Sequence, residues 1–248
     1  MHRFYIAPEN WHPDAPVLTG SEAHHCRNVL RLESGDKVVL FDGRGHEVTA
    51  EITANDPAQI QLRKLHEART PPLRCRITLG QAIPKGKNMD LIVQKAVEIG
   101  AAEIAPILSD RTIVRLDEES GASKQEKWQT VAIEAAKQCG QNWLPQVQTP
   151  QSLAQFFQEH RRFDLQLIGS LQTDAVHLKK ILAEYSAEHG DRPASVLMLV
   201  GPEGDFTPAE LSLARSQGCR PITLGPIVLR VETASIYCLS VLSYELLV

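Results

Sequence analysis

A chain of 248 residues with 43% apolar and 5% aromatic content is long enough for one large domain or two moderate ones. Its formal net charge of −4 argues against nucleic-acid binding through bulk charge, so such a partner would have to be met by a local basic patch. The five cysteines, Cys26, Cys75, Cys139, Cys219 and Cys238, are odd in number and scattered with no C-x-x-C pair. That argues against a disulfide framework or zinc cluster and for free thiols in a reducing compartment.

The opening residues, Met1 to Gly20, mix Arg, His, Glu, Asp and three prolines and contain no signal-like apolar run. No segment approaches membrane-span length, so a cytoplasmic protein without a membrane partner is expected. Ser21 is a candidate N-cap for a helix over Glu22–Leu32. Strands are predicted at Lys37–Phe41, His46–Thr53 and Gln59–Leu65, with a D-G turn at Asp42-Gly43. Short strands broken by turn signals suggest a small barrel. Arg69-Thr70-Pro71-Pro72 reads as a linker, because its two prolines continue neither strand nor helix. The domain division expected is therefore 1–70 and 74–248.

Beyond the linker the pattern changes to alternating β and α. Strands are predicted at Arg76–Ala82, Glu103–Leu108, Asp164–Ile168, Ser195–Val200 and Pro221–Leu224. Helices are predicted at Lys87–Ile99, stopped by Gly100 at C′, and from the polar stretch Asp117–Lys127 to about Cys139. Further helices are predicted at Leu178–Tyr185, Pro208–Gln217 and Glu232–Leu247. Such alternation implies a mostly parallel sheet with helices on both faces. The last helix carries Ala234, Ile236, Cys238, Leu239, Val241, Leu242, Leu246 and Leu247. A helix so nearly apolar all round is expected to be buried, by the rest of the chain or by another subunit.

Three segments carry the chemistry. Leu197–Val200 runs into Gly201-Pro202-Glu203-Gly204, and ligands of open α/β sheets bind beyond strand carboxyl ends. Ile222–Leu224 runs into Gly225-Pro226, and the extended loop that follows brings Arg230 and Glu232 to the last helix. The helix dipole favours a charged carboxylate at Glu232, which suits an orienting role better than a proton-accepting one. Third, eight Lys or Arg residues between Arg63 and Lys95 are opposed only by Glu67 and Asp90, a basic stretch able to meet phosphate backbone. G-x-G-x-x-G, G-x-x-x-x-G-K-[ST] and G-x-S-x-G are all absent. The adjacent His24 and His25 point about 100° apart on a helix and form no natural metal pair, so no metal is expected.

Several ordered motifs together resemble the RsmE family of small-subunit ribosomal-RNA uracil-N3 methyltransferases, a branch of the SPOUT superfamily. They are Val29-Leu30-Arg31 with Gly35-Asp36, Leu40-Phe41-Asp42-Gly43, Gln94-Lys95 with Glu98 and Gly100, Arg111, Gln138-Cys139-Gly140 with Pro145, Gly201-Pro202-Glu203-Gly204, and Leu224-Gly225 followed by Leu229-Arg230 and Glu232-Thr233-Ala234. The resemblance implies an α/β fold: a SPOUT-type trefoil-knotted parallel sheet with helices on both faces, preceded by a small PUA-like β-barrel that binds RNA. It implies a homodimer through the C-terminal domain and S-adenosylmethionine as cofactor. The cofactor would be held around Ile168, Val200, Gly201, Pro202, Glu203, Gly204, Leu224, Gly225, Pro226, Leu229, Thr233 and Ala234. The partner implied is small-subunit ribosomal RNA or the assembled subunit.

Departures from the family pattern are Ile227 where Arg is usual, Val231 where Thr is usual, Asp205 where a second Gly is common, and Gln141 where Arg is common. The chemistry expected is attack of uracil N3 on the sulfonium methyl, with Arg230 and Glu232 as the catalytic pair. Arg230 would stabilise charge spreading onto O2 and O4, and Glu232 would hold it. Candidate RNA contacts are Arg27, Arg31, Lys85, Lys87, Lys95 and Arg111, with Arg27 and Arg31 on one helix face. The competing expectations are a SPOUT-fold RNA-binding assembly factor and a methyltransferase of another RNA base.

Overall fold

The structure is a computed structural model that describes residues 1–112, 118–159 and 161–247. The chain folds into two compact units, Met1–Pro72 with Ile133–Leu144, and Leu73–Ala132 with Pro145–Val248.

The first unit is built on five strands, β1 (His2–Tyr5), β2 (Val17–Thr19), β3 (Lys37–Phe41), β4 (His46–Asn55) and β5 (Gln59–Arg69). They lie in the order β1-β3-β4-β5-β2. β1 runs parallel to β3, and the other pairs are antiparallel. Period-two patterning sets the inner face: Val48, Ala50 and Ile52 of β4 are fully buried, while Glu47, Thr49 and Glu51 between them are not. Phe4, Leu18, Val38, Leu40 and Ile60 complete the core, with Ala23 and Cys26 covering it.

The helix expected over Glu22–Leu32 is shorter and differently started. α1 (Gly20–His24) begins after Thr19, whose side chain makes no cap bond, and widens into a π turn over His25–Val29. Leu30 N bonds to His25 O and Leu32 N to Cys26 O. These wide bonds end the helix, and Arg31 takes a left-handed φ of 54°. Arg27 and Arg31 therefore do not share a helix face.

Ile133–Leu144, predicted within the second domain, packs in the first unit. Buried Lys137 pairs with Glu22 at 3.1 Å and Glu134 at 2.9 Å. Asn142 accepts from Arg3 Nη2 at 2.5 Å and donates to Glu47 Oε2 at 3.0 Å and Thr70 Oγ1 at 2.9 Å.

The second unit contains β6 (Arg76–Ala82), β7 (Glu103–Leu108), β8 (Gln146–Val147), β9 (Gln151–Ser152), β10 (Leu165–Gly169), β11 (Val176–His177), β12 (Ser195–Val200) and β13 (Arg220–Thr223). Their order is β11-β13-β10-β12-β6-β7-β8, with β9 also on β7. All these pairings are parallel. The helices are α2 (Asn88–Ile99), α3 (Glu118–Cys139), which belongs to this unit only as far as Ala132, α4 (Leu153–Gln158), α5 (Leu178–His189), α6 (Pro208–Ser216) and α7 (Val231–Leu246). Gly100 stops α2 with φ 92°, as a C′ glycine does.

Runs such as Val196–Val200 are buried throughout, the mark of a parallel sheet covered on both faces. Leu153 and Phe156 of α4 and Leu211 and Ala214 of α6 pack with Ala82, Ile107, Leu197 and Leu199. α7 packs against α2, β6 and β12. It buries Val231, Ala234, Ser235, Cys238, Leu239, Leu242 and Leu246, but leaves Tyr237 47% and Tyr244 77% exposed. It is thus one-sided within the chain, where its sequence suggests burial all round.

Candidate active site

Because β13, β10 and β12 are parallel neighbours, their carboxyl ends emerge side by side. The tips at Gly169-Ser170, Val200–Glu203 and Thr223–Val228 line one cavity of about 750 Å³, together with Leu229–Glu232, Ala234 and Asn88. Of the cofactor candidates, Val200, Gly201, Pro202, Glu203, Leu224, Gly225, Pro226, Leu229 and Ala234 line it, as do both catalytic candidates, Arg230 and Glu232. Ile168 is fully buried in β10 behind the tip, and Gly204 and Thr233 also lie off the wall.

Backbone geometry explains which residues the tips need. Gly225 has φ 109°, outside what an L side chain adopts without strain. At Gly201 a Cβ would stand 3.2 Å from Asp205 Oδ1 and from Phe206 N. Asp205 N bonds to Pro202 O at 2.9 Å, closing the turn, and Asp205 itself has φ 62°. Its Oδ1 accepts from Phe206 N at 2.8 Å, a local bond by which Asp tolerates this region where Gly is commoner.

A buried carboxylate supports this turn from behind. Glu210 of α6 accepts from Ser109 Oγ at 3.1 Å, Asp110 N at 3.0 Å and Thr207 N at 2.8 Å, and Arg111 Nη1 donates to Gly204 O. Sequence reasoning missed Glu210, although Thr207 and Glu210 form the S/T-x-x-E signature of a capping box. It also missed Asn88, Leu171, Gln172 and Thr223 on the cavity wall.

The residues Leu73 onward fit a recognised pattern. Residues 71–243 match the RNA methyltransferase domain, and residues 18–65 match the RNA methyltransferase PUA domain. The chain belongs to the RNA methyltransferase family. It is 31% identical to Ribosomal RNA small subunit methyltransferase E of Bacillus subtilis over 99% of this chain and 97% of that protein. Its fold is that of a methyltransferase from Legionella pneumophila solved with the bound cofactor S-adenosylmethionine, at 33% identity and TM-score 0.86 over 98% of this chain and 97% of that one. The Ribosomal RNA small subunit methyltransferase E of Neisseria gonorrhoeae, solved bound to S-adenosylmethionine, is 32% identical with TM-score 0.86, covering 99% and 98% of the two chains.

This methyltransferase has a cavity suited to such a cofactor. Its volume lies within the roughly 300–1,000 Å³ usual for ligand pockets, and its walls combine apolar side chains and strand-tip backbone with a few polar groups, Asn88, Glu203, Arg230 and Glu232 among them. Chemistry through a buried thiol is disfavoured: burial pushes Cys219 and Cys238 up to about 12, so they stay protonated at neutral pH. Among the described residues no group of His, Cys, Asp and Glu could hold a metal, and no helix is long and apolar enough to cross a membrane.

The catalytic pair is not joined as expected. Glu232 Oε2 accepts from Asn88 Nδ2 at 3.2 Å, and Glu203 Oε1 accepts from Lys85 N at 2.9 Å. Neither carboxylate pairs with Arg230, whose exposed guanidinium has no hydrogen bond or ion pair among the described residues. The dipole argument foresaw a charged Glu232, but the nearest donor comes from α2, a contact invisible to local sequence.

The RNA candidates divide. Arg27 is occupied by the β4–β5 loop, donating to Asn55 Oδ1 at 2.7 Å and to the carbonyls of Asp56 and Pro57. Lys95 pairs with Glu98 at 2.8 Å, and Arg111 holds Gly204. Arg31, Lys85 and Lys87 are exposed, without an ion pair among the described residues. Within the basic stretch, Arg63 and Lys64 are also neutralised, by Glu51 and by Asp14 with Glu67.

Proposed function

We propose that this methyltransferase transfers a methyl group from S-adenosylmethionine to N3 of a uracil in small-subunit ribosomal RNA, free or assembled. The observation that carries the reading is one cavity joining the glycine-bearing strand tips to Arg230, which has no hydrogen bond or ion pair among the described residues, in a chain of the RNA methyltransferase family. Backbone groups of Val200–Gly204 and Leu224–Leu229, with Ala234 beside them on the wall and Ile168 and Thr233 behind, would hold the cofactor. When bound, the cofactor supplies an electrophilic methyl carbon on a sulfonium.

Arg230 donates to the uracil oxygens as charge develops on them, and it stays charged throughout. Glu232 accepts the N3 proton at Oε1, the oxygen that no described donor occupies; this replaces the expected hold on Arg230, because the two do not touch. The cavity fixes both reactants in line, which lowers the entropic cost of the encounter. N3 is hidden in a paired base, so the target uracil is unpaired or flipped out. Arg31, Lys85 and Lys87 contact RNA phosphate; Arg27, Lys95 and Arg111 act first as structural ties. The fold reading includes a trefoil knot through which the last helix is threaded. It also includes a homodimer through the C-terminal unit, for which the exposed Tyr237 and Tyr244 of α7 speak. Acting on ribosomal RNA puts the protein in the cytoplasm.

Mass spectrometry of ribosomal RNA from cells with and without the gene should show one N3-methyluridine that depends on it. Arg230→Ala should leave cofactor affinity by calorimetry nearly unchanged while methylation falls about 10²–10³-fold, as when an oxyanion-hole donor is lost. Unchanged turnover would remove Arg230 from the mechanism. No heat with S-adenosylmethionine would mark the pocket as vestigial and the protein as an RNA-binding assembly factor.

A further inference from the structure

The loop between β6 and α2, together with the first residue of α2, touches two of the cavity's carboxylates, Glu203 and Glu232. Its Lys85 N–H donates to Glu203 Oε1 at 2.9 Å. Three residues on, Asn88 at the start of α2 donates through Nδ2 to Glu232 Oε2 at 3.2 Å. Asn88 and Glu232 both line the cavity, and both are half-buried. A carboxylate is acceptor-only, so the amide must present its NH₂ to it. Glu232 stands in the first turn of α7, where one rotatable side chain otherwise has several positions of similar energy.

We infer that Asn88 is a positioning residue that fixes Glu232, leaving Oε1 turned to the substrate. Lys85 N–H holds Glu203 and Asn88 Nδ2 holds Glu232, so the Glu232 carboxylate is anchored to the start of α2 and not to Arg230. Arg230 is thereby left unpaired for the charge that develops on the base. The inference rests on the reading of Glu232 as the group that accepts the N3 proton. It assigns Asn88 no contact with the reacting atoms.

The test is a double-substitution cycle on the full-length protein. Single-turnover methylation of small subunits from a strain lacking the gene is measured with saturating S-adenosylmethionine. Glu232→Gln should slow the step strongly. Asn88→Ala should slow it roughly tenfold, the scale of a lost hydrogen bond to a charged group, with cofactor affinity and melting temperature held. The double variant should be no slower than Glu232→Gln alone, since Asn88 acts only through that carboxylate. Asn88→Asp, which sets two carboxylates together, should be the slowest of the Asn88 variants at neutral pH and should regain rate relative to the unsubstituted enzyme as pH falls. Full activity in Glu232→Gln would overturn the reading of Glu232 and this inference with it. A slow Glu232→Gln with losses that add in the double variant, or with an unimpaired Asn88→Ala, would overturn the assignment of Asn88 alone.

Discussion

At the scale of single residues, the site depends on backbone positions as much as on side chains. Gly225 has open space around a would-be Cβ, so nothing steric forbids Ala there; its φ of 109° does. Gly225→Ala should therefore act by tilting the strand tip, at a cost of about 1–2 kcal/mol. If the tip cradles the cofactor, affinity for S-adenosylmethionine measured by calorimetry should fall about tenfold, which 1.4 kcal/mol represents, with the fold retained by circular dichroism. Wild-type affinity would show that the Gly225 backbone does not shape the pocket. Asp205 makes the complementary point. It occupies a left-handed position with its carboxylate bonded to the next amide, so the departure from glycine is accommodated locally.

At the scale of elements, the two units differ in how their parts are tied. The strand tips of the second unit are braced by α6 through Glu210, which receives donors from Ser109, Asp110 and Thr207. Glu210 is 7% exposed, and each buried donor left unpaired costs about 1–3 kcal/mol. Glu210→Ala should lower the urea midpoint clearly and weaken cofactor binding, because Ser109 and Asp110 beyond β7 and Thr207, which follows the Gly201–Gly204 turn, lose their common partner. Glu210→Gln, which keeps an acceptor, should lose less of both. Equal losses in the two variants would mean that charge, not hydrogen bonding, sets the brace. The elements legible beforehand were those with apolar or alternating runs of some length: β3 to β7, β10, β12, β13, α2, α3, α5, α6 and α7. β1, β2, β9 and β11 are four residues or shorter, and β1 joins β3 across a separation of 36 positions, from His2 to Val38. Such strands exist because of their partners and leave little local pattern.

At the scale of the whole molecule, the first unit is completed by a segment from far along the chain. Asn142 joins Arg3, Glu47 and Thr70, so residues 1–72 taken alone would keep the Arg3–Glu47 pair but lose the amide that bridges all three groups. Burial pushes the Glu47 carboxyl up, but the hydrogen bonds from Arg3 and Asn142 outweigh it and hold Glu47 below its ordinary value of 4.5. A depressed carboxylate contributes stability that is present above its unfolded value and is lost as pH falls through the folded one. Wild type should therefore lose urea stability as pH drops below about 4.5, and Glu47→Gln should lose less over the same range. Parallel pH profiles for the two proteins would remove Glu47 from the acid response.

Composition, periodicity and glycine placement determined the α/β class, a second region with a different period, and two glycine-ended strand tips carrying Arg230 and Glu232. Those features are local: apolar spacing and the φ demands of a turn are written in consecutive residues. Which carboxylate meets which donor was decided only in three dimensions, where Asn88 reaches Glu232 across 144 positions and Glu210 reaches Ser109 across 101. The same holds for Arg27, whose guanidinium is taken up by a loop 28 to 30 positions away. A charged side chain looks the same in sequence whether it is bound to its own fold or left for RNA; the packing of parallel strands decides which.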